Sequence, residues 1–153
     1  MRTWLHRGRQ EKGAALVETA FALPIMLLVC VGILEFGRAY QTWQVVTNAA
    51  REGARVAILP DYADASVSAR VKTYLKNGGL PAAVVDSAAT KVLITATTIP
   101  VNATGTVTAA ASRIVVEYPF EFMVLQPVAQ LVVNGSLAGQ PFTMRMTTIM
   151  RNE

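Results

Sequence analysis

The sequence predicts an α+β protein in which one long N-terminal transmembrane and stalk helix packs on a small antiparallel sheet. Three observations predict this fold: an uninterrupted apolar segment near the N-terminus, a helical pattern that continues well beyond it, and three later segments that alternate like strands. Only 16% of the 153 residues are charged and the mean hydropathy is +0.37, whereas a soluble domain has about 25% charged residues. Part of the chain is therefore expected to lie in lipid.

The apolar segment covers residues 14–34 and contains one charged residue among 21. As a helix it reaches about 31 Å, which matches a hydrocarbon core of about 30 Å. Basic residues precede it, so we expect a cytoplasmic N-terminus and an exported C-terminal part. A cleaved secretory signal peptide is the alternative, but its apolar region is about 7 to 15 residues long. We therefore expect the span to be retained.

Two residues are unusual inside this span. Pro24 removes a backbone donor and kinks a helix unless neighbouring helices compensate. Glu18 is costly in lipid, so it needs a partner or a function, unless it lies shallow enough to reach the headgroups. Both residues are candidates for contacts with other helices.

The net charge of +4 is concentrated at the N-terminus. Four basic residues and Glu11 give residues 1–13 a net charge of +3, and the other 140 residues carry +1. No basic stripe interleaved with aromatic residues follows. Binding of nucleic acid is therefore not expected.

The helical pattern continues beyond the span to Leu59, and Pro60 provides a stop. Residues 14–59 would form one helix about 69 Å long. One face carries apolar and small residues at three- or four-residue steps, which suits close packing. Its members are Trp43, Val46, Ala50, Ala54 and Ile58, beside the small residues Ala49, Gly53 and Ala57. This face packs either on the protein's own domain or on another subunit.

Charged residues on this helix also allow two interpretations. Glu35 and Arg38, like Glu52 and Arg55, are three residues apart and can pair on the helix surface. Because Glu35 directly follows the apolar span, Glu35 and Arg38 can instead anchor the helix at the outer headgroups or meet the charges of a partner.

Residues 60–153 are expected to form an exported α+β head. A short helix begins with Asp64 as its N-cap and ends at Gly78 and Gly79. Three half-buried antiparallel strands follow, at residues 91–99, 112–118 and 142–150.

An apolar connection joins the second and third predicted strands. It is expected to contain a short helix near residues 128–133 and a turn at Asn134 and Gly135. Residues 120–131 of this connection form either a contact surface or a lid on the core, and we favour the lid.

Residues suited to catalysis or metal binding are scarce. The only histidine, His6, lies in residues 1–13, and the only cysteine, Cys30, lies within the span. The exported part therefore lacks a histidine for acid–base chemistry and thiolates for a metal site. Asp61 and Asp64 suit helix capping better than calcium binding, which needs more oxygen ligands. We expect no enzyme activity, no catalytic residues, no metal and no cofactor.

The segment KGAALVE places Gly13 five positions before Glu18. It resembles the processing site of type IV prepilins and pseudopilins, where a membrane aspartyl peptidase cuts after the glycine. The resemblance implies a leader of residues 1–13, a mature N-terminus at Ala14, and a Glu18 carboxylate that faces the amine of a neighbouring subunit. Such a pair is reasonable, because neither charge is well solvated at the membrane boundary.

Residues 13–57 join this segment to EFGR at 35–38 and to NAAREGAR at 48–55. The stretch resembles the N-terminal half of TadE-like proteins of the tight adherence, or Flp, pilus system. Thr19 departs from the family pattern, in which an aromatic residue is common at that position. The resemblance implies a pilin-like fold and a minor pseudopilin or accessory component of pilus assembly. It also implies cleavage by a prepilin peptidase and action through helix packing with pilus subunits.

The implied partners are the prepilin peptidase, pilin and other pseudopilin subunits, inner-membrane assembly proteins and the lipid bilayer. The implied location is the bacterial inner membrane, with a single span and an exported C-terminal domain; entry into the fibre, capping of its tip and priming of assembly remain alternatives. The competing hypothesis is an uncleaved signal-anchored envelope protein whose exported domain binds a ligand or scaffolds another complex. The candidate processing residues are Gly13, Ala14 and Glu18, and the candidate helix contacts are Glu18, Pro24, Glu35, Arg38, Ala49, Gly53 and Ala57.

Overall fold

A computed structural model describes residues 7–59, 63–102, 105, 107–132 and 141–152, with side chains described for those from Gly13 onward except Val132. The elements in chain order are α1 (Arg7–Ala57), α2 (Asp64–Asn77), α3 (Ala82–Val85), β1 (Lys91–Pro100), β2 (Thr108–Phe120), α4 (Leu125–Val132) and β3 (Phe142–Arg151). The predicted fold, a long apolar helix packed on a small antiparallel sheet, is confirmed. The predictions for His6, Pro60, Asp61 and the turn at Asn134 and Gly135 fall outside the described residues.

Helix α1 has 51 residues, which corresponds to a length of about 76 Å. It is helical through Pro24 and begins at Arg7, so it continues across the predicted leader boundary instead of starting at Ala14. Its part from Gly13 onward is long and apolar enough to cross a membrane. Every side chain from residue 13 to residue 30 is exposed, and burial against the rest of the chain begins only toward the C-terminal half.

The sheet has the order β1-β2-β3, and both pairs of strands are antiparallel. In the first half of the central strand β2, Ser112 donates a hydrogen bond to the carbonyl of Ala57, the last residue of α1, over 3.4 Å. At the other end, Phe120 pairs with Phe142 and lies under the guanidinium of Arg38. The Phe120 end of the sheet is therefore the end nearest the membrane span.

The core lies between α1, α2 and the sheet. Its members are at most 4% exposed. They are Val46, Ala49, Ala50 and Ala54 of α1, Val67, Val71 and Leu75 of α2, Val85 of α3, and Ile114, Val116 and Tyr118 of β2. The two apolar positions at the ends of the predicted face are less buried, since Trp43 is 42% exposed and Ile58, just beyond α1, is only partly buried.

The small residues of α1 allow the helix to approach α2 closely. Ala49 is fully buried, and Ala57 packs partly buried against the same core. A Cβ atom added at Gly53 would lie 2.5 Å from Cγ2 of Val71, a distance that leaves no room for a methyl group. Of the two alternatives for this face, packing on the protein's own domain is the one seen in the structure.

The start of α2 differs from its prediction. Ala63, not Asp64, is the N-cap residue, and no side chain caps the helix there. Asp64 is the first helical residue, where its negative charge suits the positive end of the helix dipole. Gly78 ends the helix as expected, while the single-turn helix α3 was not predicted.

Candidate functional site

The predicted processing segment lies within α1. Gly13, Ala14 and Glu18 are all exposed, and a Cβ atom at Gly13 would meet nothing within 4 Å. Among the residues that the structure describes, no side chain forms an ion pair with Glu18. The neighbouring Thr19 hydroxyl donates to the Ala15 carbonyl within the helix, over 2.8 Å. The Glu18 carboxylate is thus available to a group from outside the chain.

Glu35, the first residue after the apolar span, turns its carboxylate into the head domain. The residue is only 6% exposed. Its Oε1 accepts a hydrogen bond from the backbone N–H of Val124 at 2.8 Å, and its Oε2 accepts one from the N–H of Met123 at 3.1 Å. These two amides immediately precede α4. In a capping box, a glutamate of the helix itself accepts a hydrogen bond from the backbone N–H of the residue that precedes the helix. Here the carboxylate comes from another helix, 88 residues earlier in the chain.

Arg38 holds the same segment from one turn further along α1. Its guanidinium donates to the carbonyl oxygen of Glu121, lies 3.4 Å from Oε2 of Glu35, and stands 5.0 Å from the centre of the Phe120 ring. The predicted pair between Glu35 and Arg38 therefore exists, but both residues also hold the head. We call Glu35, Arg38 and the segment 120–124 the exit clamp.

Aromatic rings complete the exit clamp. Phe122 makes edge-to-face contacts with Phe36 at 5.9 Å and with Phe120 at 5.1 Å between ring centres. Pairs in this geometry contribute about 0.5–1.5 kcal/mol beyond their buried area. The rings link the residue that follows Glu35 to the end of β2. The head is thus fixed to α1 at the level where the helix leaves the predicted span.

The second predicted charge pair also has an additional partner. Glu52 lies 4.0 Å from Arg55 but 2.8 Å from Arg70 of α2. Both arginine side chains are more than half exposed, so each pair is worth at most about 1 kcal/mol. In contrast to Glu35, Glu52 stabilises a surface contact between two helices.

A groove of about 830 Å³ runs beside the exit clamp. Its lining comes from α1, from the turn after α2, from the end of β2 and from α4. Tyr118 lies in it, and burial raises the pKa of its phenol above the ordinary value, while Arg38 lowers that pKa and Glu121 raises it further. No group of His, Cys, Asp and Glu among the described residues could hold a metal ion. The groove offers polar and apolar contacts.

Sequence reasoning missed the partners of Glu35 and Arg38. Both bind backbone groups of a distant loop, and backbone groups carry no residue-specific pattern. One signal was available: the residue before α4 is Val124, and Pro127 occupies its third position. Neither side chain can accept a hydrogen bond from the amides that enter the helix. A carboxylate from elsewhere in the chain could therefore have been expected.

Residues 13–55 match the family model described as TadE-like protein. This helix is TadE-like. The resemblance found in the sequence is confirmed, and the matched segment contains the apolar span, Glu35 and Arg38 of the exit clamp, and the α1 residues of the core up to Ala54. No curated protein and no solved structure shows significant similarity to the chain.

The matched residues are 43 of the 153, so the match describes α1 and not the chain as a whole. Among the described residues, α1 is the helix that is long and apolar enough to cross a membrane, and it is the helix that carries the match. The match ends two residues before the end of α1. The head domain beyond α1 therefore lies outside the matched segment.

Proposed function

We propose that this chain is a minor pseudopilin or accessory component of tight adherence pilus assembly, matured by a prepilin peptidase after Gly13. The observation that carries the proposal is the TadE-like span itself, whose side chains from residue 13 to residue 30 all face outward. An apolar helix surface of this length requires lipid or other apolar helices around it. Packing against the helices of pilus subunits is the contact that we assign to it.

Glu18 gives this packing its register. Cleavage after Gly13 creates an ammonium group at Ala14, and the Glu18 carboxylate has no partner among the described residues of its own chain. A carboxylate and an amine from adjacent subunits stabilise each other where water is scarce, because each favours the charged form of the other. A neighbouring helix that is shifted along its axis would lose this pair.

The head domain has a structural function in this proposal, and we propose no enzymatic activity for it. The exit clamp fixes the head to α1, so the span and the head move as one unit. Subunit contacts that hold α1 would therefore also set the position of the head. The prepilin peptidase, pilins and inner-membrane assembly proteins are the proposed partners.

The mature N-terminus tests the cleavage step. The protein is purified from cells that contain an active prepilin peptidase and from cells that lack it, and its N-terminal peptide is identified by mass spectrometry. We expect Ala14 as the first residue only in the first sample. Retention of Met1 in both samples would contradict the proposal and favour the uncleaved signal-anchored protein.

Glu18→Ala tests the intersubunit pair. We expect normal insertion into the membrane but fewer pili, because the neighbouring amine loses its counter-charge. Thr19→Ala is the matched control, since it removes only a hydrogen bond within the same turn of the helix. Insertion is measured by membrane fractionation, and pili are counted by electron microscopy. Equal numbers of pili in Glu18→Ala and Thr19→Ala would show that Glu18 has no special function.

A further inference from the structure

Several large apolar side chains are exposed at the end of the head that lies nearest the span. Leu131 of α4 is 84% exposed, and Met123, two residues before α4, is 72% exposed. Phe36, which follows Glu35, is 65% exposed, and Phe142, at the Phe120 end of the sheet, is 57% exposed. We call these residues, with the partly exposed Val128, the base patch. The predicted lid on the core is therefore wrong for Met123 and Leu131, although Phe120 is buried.

Helix α4 has two different faces. Gln126, Pro127 and Gln130 line the groove beside the exit clamp, as does Met123 just before the helix. With 3.6 residues per turn, Val128 lies about 150° around the helix axis from the centre of the three lining positions, and Leu131 lies about 95° from it. Val128 is therefore turned away from the groove, and Leu131 lies outside its lining.

The groove extends from the exit clamp away from the span. Residues 78–81 line it, and Gly78 is packed directly against Val45 of α1. Val45 lies about 15 Å further along α1 than Glu35, in the direction away from the span. The start of α4, which is bound at Glu35, therefore lies at the end of the groove nearer the span.

The part of the chain that joins Met123 to Phe142 carries no charge. Between Glu121 and Arg145 there is no Asp, Glu, Lys or Arg. Of the charged residues beside the patch, Glu35 accepts from the amides before α4 and Arg38 binds the Glu121 carbonyl, while the Glu121 side chain is exposed. An uncharged surface of this kind suits the boundary between headgroups and acyl chains better than it suits water.

The base patch is also continuous with the span. Leu34, the last apolar residue of the span, is 74% exposed. Phe36 lies two residues later, directly after Glu35. Phe36 in turn contacts Phe122, which is the residue next to Met123. The lipid that surrounds the span therefore extends directly to the patch.

We propose that the base patch is a lipid-docking surface, with the apolar face of α4 inserted into the outer headgroup region of the bilayer that α1 crosses. This inference rests on the membrane anchoring in the proposed function. An interfacial helix of this kind buries its apolar face about 5–10 Å into the boundary between headgroups and acyl chains. The head then stands on the membrane through two contacts, the span and α4, which fix its orientation as well as its position.

Fluorescent labels on full-length protein in vesicles of phosphatidylethanolamine and phosphatidylglycerol test the docking. In a Cys30→Ser background, an environment-sensitive label is attached at Leu131→Cys. The matched control is Ile149→Cys, because Ile149 is also an exposed apolar residue, 47% exposed. Ile149 pairs with Arg113, about 24 Å along β2 from Phe120. Met123→Cys is a second probe of the patch, and all variants are compared by circular dichroism.

We expect emission shifted to the blue at 131, and quenching by lipids spin-labelled near the headgroup that is severalfold stronger at 131 than at 149. Quenching at 131 and 123 no stronger than at 149 would overturn the docking. Protection at 131 that appears only at high protein-to-lipid ratios would also overturn it, because a second copy of the chain would then cover the patch.

The native Cys30 separates failure of the docking from failure of the anchoring. A label on Cys30 of the unmodified protein is quenched by lipids spin-labelled deep in the acyl chains if α1 spans the bilayer. Quenching of Cys30 without quenching at 131 contradicts only the lipid-docking surface. Absence of quenching at Cys30 contradicts the membrane anchoring itself, and the docking with it.

Discussion

Removal of the Glu35 carboxylate should loosen the head from α1. In Glu35→Ala, the amides of Met123 and Val124 lose two hydrogen bonds to a charged acceptor, each worth about 1.5–3 kcal/mol. Because Met123 and Val124 are 72% and 43% exposed, water can replace part of this loss. We therefore expect a decrease of about 3 kcal/mol in the free energy of unfolding, at the lower end of the summed range of about 3–6 kcal/mol. Glu35→Gln keeps one acceptor oxygen and should lose about 1–2 kcal/mol.

Thermal unfolding of the full-length protein in detergent measures this loss, with near-ultraviolet circular dichroism reporting on the packing of the aromatic rings. Hydrogen exchange of a peptide that covers residues 120–132 shows where the loss occurs, and we expect its amides to exchange faster in Glu35→Ala. Glu52→Ala is the matched control, because it removes the same side chain from the same helix but only surface ion pairs. Such pairs contribute at most about 1 kcal/mol.

The comparison between the two alanine variants decides the question. If Glu35→Ala destabilises the protein no more than Glu52→Ala does, the carboxylate does not hold the segment before α4. Faster exchange throughout the head, with no preference for residues 120–132, would also refute the exit clamp as a local contact. In either case the buried position of Glu35 would need another cause.

Two further changes test the core and the groove. Gly53→Ala places a methyl group against Val71 and should lower the free energy of unfolding, because overpacking costs about 1–3 kcal/mol and helix propensity returns only about 1 kcal/mol. Gly37→Ala is the control, since a Cβ atom there meets nothing within 4 Å, and it should not lower the melting temperature. Burial raises the pKa of Tyr118, so the folded state holds its proton more tightly, and stability should fall as the pH rises above about 10. Tyr118→Phe should reduce this alkaline loss in urea titrations, and an unchanged loss would show that other groups cause it.

Much of the fold could be predicted because its elements have local patterns. Strands predicted at 91–99, 112–118 and 142–150 lie within the observed β1, β2 and β3. The length of α1 followed from an uninterrupted helical pattern, but its start at Arg7 did not, because the position of a cleavage site says nothing about helix boundaries. The N-cap of α2 was misplaced by one residue, since Asp is also favourable in the first turn.

The candidate site was predictable only in its residue types. Glu35 and Arg38 were candidates because they directly follow the span, where charged residues can anchor a helix at the headgroups, and because they belong to the EFGR segment of the resemblance to TadE-like proteins. Their partners could not be predicted, because they are backbone groups that the fold brings from residues 121–124. The outward orientation of Leu131 was missed for a similar reason, since an apolar residue in a loop more often covers the core.

The location of Glu35 couples the folding of the head to the insertion of the helix. A carboxylate at the end of an apolar span is poorly solvated unless donors reach it, and in this chain the donors come from the amides before α4. Those amides are in place only when β2 and the following segment have folded against α1. Before that, Glu35 must be solvated by headgroups or water, and α4 lacks the contact that fixes its start. Completion of the head therefore satisfies Glu35 and fixes the start of α4 in the same step.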